Sequence, residues 1–251
     1  MTPARVLVDL EILDVPAAAT PYGKRSARGL HPPEPDSERG VRQSVNRKAL
    51  PTLARMAREG RVVLCTYAAG ATAGYTATED YGSLNGALFL PVEPAIDRDA
   101  LDSDVFADAA QPGALQQFCL RLMTGQHTLG NLRPDFLASL PATTQRGLGA
   151  IEQYCDLATG AEGERLVEIF HLWSGELAGC DYLLTMDAEL ARFLHRREER
   201  PSALKLQCRP IEPEALLLGL DVVGRDEPTR PRTSVTSLVG RLPSRTRPLA
   251  R

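Results

Sequence analysis

The chain has 251 residues, 43% of them hydrophobic but only 5% aromatic, and a formal net charge of −3. This is enough apolar material for one large domain with an aliphatic core, but no apolar run reaches the about 18 residues that a membrane-spanning helix needs. The opening MTPARVLVDLEIL interrupts its apolar residues with charge and shows no cleavage-site pattern, so no secretory signal is expected and the predicted location is the cytoplasm.

Arg5 to Asp9 (RVLVD) reads as a first, central strand. Prolines and glycines crowd between Pro16 and Gly40, which predicts a long loop. Asn46 is a candidate cap for a helix through Leu50, Leu53, Ala54, Met56 and Ala57, with Pro51 in its first turn and Gly60 as its stop. RVVLCTY (61–67) reads as a second buried strand, and this order of elements predicts a right-handed crossover within a parallel sheet. Residues 68–141 are cut by prolines 91, 94, 112, 134 and 141; SLNGALFLP holds a candidate strand, and 113–125 has helical spacing at Leu115, Phe118, Cys119 and Leu122. Helices are expected near 143–157 and from Glu164 to Ala178, the second stopped by Gly179. A strand over 181–185, a helix from Asp187 to about Arg197, a strand at LKLQC (204–208) and a short helix at PEALLLG (213–219) complete the pattern.

The pattern describes a single domain over 1–224. In 225–251 seven arginines face two acids, a local charge of +5 against −8 for the rest, with too few apolar residues for a core. This predicts a disordered basic tail, either a solvated arm or an RNA contact through Arg230, Arg232, Arg241 and Arg245. Cysteines 65, 119, 155, 180 and 208 form no CxxC pair, which argues against a disulfide framework or a zinc site and for buried thiols.

Three acids stand out by position. Asp9 ends the first strand and Asp187 follows the strand 181–185, and the carboxyl ends of parallel strands line the ligand crevice of α/β sheets. Glu168 and His171 share one face of an otherwise apolar helix, so Glu168 must reach a rim or be paired. Asp187 suits either a helix cap or a metal ligand. Together the carboxylates form the hard oxygen set that Mg2+ or Mn2+ prefers. No GxGxxG, Walker or GxSxG motif marks a nucleotide-binding protein or serine hydrolase.

The segment EIFHLWSGELAGCDYLLTMDAEL (168–190) closely resembles the C-terminal signature of PIN-domain proteins: an acid three residues before a His, a small-residue turn, a strand and a final metal-binding Asp. RVLVDLEIL is similar to that family's first strand with its leading Asp, and LKLQCRPIEPEALLLG (204–219) to its closing strand and helix. The resemblance implies a three-layer α/β/α fold with a central, mostly parallel sheet, here carrying insertions at about 16–45 and 68–160, the longer of them helical and irregular. It further implies a Mg2+- or Mn2+-dependent endoribonuclease, often the toxin of a toxin–antitoxin pair, with Asp9, Glu168 and Asp187 as catalytic metal ligands. Thr185 would line the site and His171 would face it. The implied partners are RNA, an antitoxin or other protein, and a second copy in a homodimer. Glu11 stands where the family usually has Asn or Ser, Glu168 where it most often has Asp, and the family's second acid has no clean match after the second strand, where Glu79 or Asp80 could substitute. That gap leaves open a catalytically degenerate PIN-like module that binds RNA or a protein partner.

Overall fold

In the first strand Val6 and Val8 turn to one face and Leu7 to the other, all three buried, as the two-residue period of a strand dictates. The computed structural model of the protein describes residues 2–9, 12, 37–67, 84, 87–101, 114–125, 130, 132–198 and 205–223. In chain order its elements are β1 (Ala4–Val8), α1 (Glu38–Arg58), β2 (Val62–Tyr67), β3 (Phe89–Val92), α2 (Arg98–Leu101), α3 (Ala114–Met123), α4 (Pro134–Ser139) and α5 (Ala142–Gly149). They continue with α6 (Ile151–Ala158), α7 (Glu164–Leu177), β4 (Tyr182–Leu184), α8 (Ala188–Glu198), β5 (Arg209–Ile211) and α9 (Pro213–Val223).

The five strands form one all-parallel sheet in the order β3-β2-β1-β4-β5. Each face has its own core. Leu7, Cys65, Tyr67 and Leu183 pack with residues of α3, α6 and α7, while Val6, Val8, Leu64 and Leu184 pack with Leu50, Leu53 and Met56 of α1 and Leu216 of α9. The fold is therefore α/β, with helices covering both faces of the sheet. Among the described residues, β3 and β5 are the edges, and each of these short strands contains a proline, Pro91 and Pro210. No helix among the described residues is long and apolar enough to cross a membrane.

Among the expected boundaries that the structure moves, three have a visible cause. First, α1 begins at Glu38, so its first turns occupy residues assigned above to a loop; Ser37 is the cap, its hydroxyl accepting the Gly40 N–H at 3.1 Å. Asn46 lies inside α1 and does cap a helix, but a different one: its Oδ1 accepts the Glu214 N–H of α9 at 3.1 Å, and its Nδ2 donates to Glu212 at 3.1 Å. Pro51 therefore sits in the interior of α1, where it removes one hydrogen bond of the helical ladder. Second, 143–157 divides at Ala150 into α5 and α6, after the poor helix formers Gly147 and Gly149. Third, the last strand is Arg209–Ile211 and not 204–208, because the Gln207 and Cys208 N–H groups donate to the Glu176 carboxylate of α7, at 2.9 and 2.7 Å.

Residues 87–101 and 114–158 supply β3 and the outer helices of one face, which enclose α7. Every position of α7 from Glu168 to Gly175 is buried. Phe170 and Trp173 meet Phe118 of α3 and Tyr154 of α6, with centroid distances of 6.0 Å for Phe118–Phe170 and 5.3 Å for Tyr154–Trp173. Gly175 lets the helix press onto the sheet: a Cβ there would lie 3.0 Å from Cys208 Sγ and 3.4 Å from Leu7 Cδ2. The helix ends in a Schellman turn at Gly179 (φ +68°), with Gly179 N–H donating to Glu176 O at 3.0 Å and Cys180 N–H to Gly175 O at 2.9 Å.

Candidate metal centre at the strand ends

β1 has β2 and β3 on one side and β4 and β5 on the other, so the chain leaves its centre in opposite directions and opens a crevice at the carboxyl ends of β1 and β4. Asp9 and Thr185 are the first residues past those two strands. The Asp9 N–H donates to Leu184 O at 2.9 Å and the Thr185 N–H to Ile211 O at 3.0 Å, which extends the ladder by one step and fixes both backbones. Leu7 and Leu183 face the core beneath α7, so two residues further on, strand alternation turns Asp9 and Thr185 to that same side.

The Thr185 hydroxyl links the two aspartates. It donates to Asp9 Oδ2 at 3.3 Å and accepts the Asp187 N–H at 3.1 Å. Asp187 divides its oxygens between two roles: Oδ1 accepts the Glu189 N–H at 2.7 Å, capping α8, and Oδ2 accepts from Arg165 Nη1 at 2.8 Å. The same Arg165 Nη1 lies 2.5 Å from Glu168 Oε2. Burial alone would push the Asp187 carboxyl up, but the Glu189 amide and the Arg165 guanidinium outweigh it and hold the group below its ordinary 3.8. Glu168 keeps 8% side-chain exposure, and pairing with Arg165 offsets the cost of burying its charge.

One turn along α7, His171 is buried beside Tyr67 at the end of β2; the Tyr67 hydroxyl and His171 Nδ1 share a 2.7 Å hydrogen bond, with ring centroids 5.4 Å apart. Register places Leu7 beside Cys65, and continuing it puts Asp9 abreast of Tyr67. Asp9, Glu168, His171, Thr185 and Asp187 thus gather at one end of the sheet. Glu11, Glu79, Asp80 and the tail residues Arg230, Arg232, Arg241 and Arg245 lie outside the described residues.

Two neighbours were not among the residues picked out by sequence. Arg165 stands three residues before Glu168, a spacing that pairs opposite charges on a helix and was legible as such. Tyr67 ends a strand whose neighbour is followed directly by Asp9, a juxtaposition visible only once the pairing is known.

Among the described residues, no group of three or more His, Cys, Asp or Glu side chains is arranged to hold a metal ion. The donor chemistry nevertheless suits a hard divalent cation: the Glu168 and Asp187 carboxylates already share one positive centre, the Arg165 guanidinium, and Thr185 ties Asp9 to the same group. No family model, curated protein or solved structure matches the chain, and the chemistry of these side chains is the guide to its function.

Proposed function

We propose that the protein is a PIN-like ribonuclease that hydrolyses RNA phosphodiester bonds, with Asp9, Glu168 and Asp187 holding Mg2+ or Mn2+. The observation that carries this reading is the gathering of Asp9, Thr185, Glu168 and Asp187 at the switch point of a parallel sheet, where α/β proteins bind their ligands. The helix-flanked sheet agrees with the α/β/α arrangement that the resemblance implies. A divalent ion, when bound, supplies an activated water and offsets the charge that gathers on the phosphate. The chain's own residues do the positioning: Thr185 holds the Asp9 carboxylate and the Asp187 backbone amide, the Glu189 amide fixes one oxygen of Asp187, and Tyr67 holds His171. The arginines of 225–251 add a sequence-independent hold on RNA that weakens with salt.

Purified protein is expected to cleave RNA in Mn2+, and Asp9→Asn or Asp187→Asn to lower the rate by about a hundredfold, since even outer partners of a metal ligand cost up to that much. Equal cleavage by wild type and both variants would defeat the assignment. One contact favours a second reading, the degenerate PIN-like binding module: Arg165 satisfies Glu168 and Asp187 without any metal. RNA binding with no cleavage in either Mg2+ or Mn2+ would select that reading.

A further inference from the structure

We propose that Arg165 is a built-in competitor for the divalent cation: its guanidinium occupies the position between Glu168 and Asp187, and the ion loads only when that side chain withdraws. This inference rests on the metal-dependent reading above and adds a control to it.

The geometry is that of a point charge between two ligands. One nitrogen, Nη1, approaches Glu168 Oε2 to 2.5 Å and Asp187 Oδ2 to 2.8 Å. Glu168 projects from a continuously buried stretch of α7, so its carboxylate has little freedom to turn toward water. Asp187 commits Oδ1 to the Glu189 amide, leaving Oδ2 for a cation, and Oδ2 is the atom that Arg165 takes. Guanidinium and metal ion would therefore compete for the same oxygens.

Arg165 also sits at an unfavourable place for a cation. It lies in the first turn of α7, where the helix presents the positive end of its dipole, so the two carboxylates are what hold it there. At 20% side-chain exposure it borders solvent, and its long flexible stem gives it a way out that Glu168, at 8%, lacks. Arg165 thus serves the two carboxylates as a counter-ion, which spares Glu168 and Asp187 from repelling one another.

The test is calorimetric Mn2+ titration of the full chain, with thermal melts in the presence and absence of metal. Arg165→Gln and Arg165→Met are expected to bind Mn2+ about tenfold more tightly than wild type or better, in line with the strength of a charged hydrogen bond. Their melting temperatures should rise more on adding metal, while Arg165→Lys, which keeps the charge, should stay near wild type. On the unmutated protein, Mg2+ should speed exchange of the Arg165 guanidinium protons with water, a readout independent of how the variants fold. Mn2+ binding by wild type with equal or weaker binding by both neutral variants overturns the competition and leaves the metal reading standing. Unchanged guanidinium exchange at saturating Mg2+ does the same. Absence of Mn2+ binding in all four proteins overturns both.

Discussion

Helices α1 and α7 flank one sheet from opposite faces and are built on different plans. α1 runs for 21 residues, buries a stripe against Val6, Val8 and Leu64, and leaves its outer side to water. α7 has 14 residues and is buried from Glu168 through Gly175, with the sheet beneath it and α3 and α6 outside. A helix with a solvent face can turn polar side chains outward, whereas one without must find each a partner inside the protein. Three buried polar side chains of α7 meet that demand, while the Trp173 indole N–H finds no acceptor among the described residues: Glu168 has Arg165, His171 has Tyr67, and the Ser174 hydroxyl accepts the Ala95 N–H at 3.0 Å. The acid and histidine of the site thus sit on the more firmly held helix, which suits a site that must be shaped before its ligand arrives.

The sharpest way to break this comparison is to hollow out each side in turn. Trp173→Ala on α7 is expected to cost about 4–5 kcal/mol, because Tyr154 and Phe170 around it are themselves hemmed in and cannot close the gap. Leu53→Ala on α1 is expected to cost about 2–3 kcal/mol, since a helix open on its outer side can settle inward. Urea unfolding measures both, and equal losses would remove the distinction. A smaller effect, about 1–2 kcal/mol, is expected for Asn46→Ala, which strips the cap from α9 and leaves Glu212 to Arg42 alone. Calorimetric melting of that variant should show the loss with no change in Mn2+ affinity.

The smallest effect is a pH dependence at the α7 site. Because the Asp187 carboxyl titrates below 3.8 in the folded chain, its pairing adds stability that is present above that value and is lost as pH falls through the lower, folded one. Asp187→Asn should therefore melt below wild type near neutrality, with the gap closing in acid. Melting curves from neutral pH down to about pH 3 follow this directly, and a gap that widens in acid contradicts the pairing.

The same contrast accounts for what could be read from sequence. β1, β2, α7 and β4 carry their signals locally: short β-branched or aliphatic runs, a 3.6-residue apolar period and a glycine stop. Asn46 was a fair candidate for a cap, yet the helix it caps begins 167 positions later, at Pro213, and no local rule conveys that. LKLQC has the alternation of a strand, but Glu176 takes two of its amides from outside the sheet. Of the candidate site, the places of Asp9 and Asp187 past strand ends and of Glu168 on a helix were legible because strand ends and helix faces follow from periodicity. Tyr67 was not, because its place beside His171 depends on how β2 pairs with β1 and how α7 crosses them.

The prolines at the two sheet edges have a consequence for how copies of the chain can meet. The Arg209 N–H is spent on Asp181 O, so strand alternation turns the amide position of residue 210 outward, where Pro210 has no hydrogen to offer. Pro91 removes another donor at the far edge, beside Leu88 and Leu90, which are 71% and 45% exposed. A neighbouring chain that tried to continue the ladder would find a missing rung at either edge, at β3 next to the apolar residues most apt to invite it. Among the described residues, edge-to-edge templating of newly made chains into fibres is thereby discouraged at both edges of the sheet.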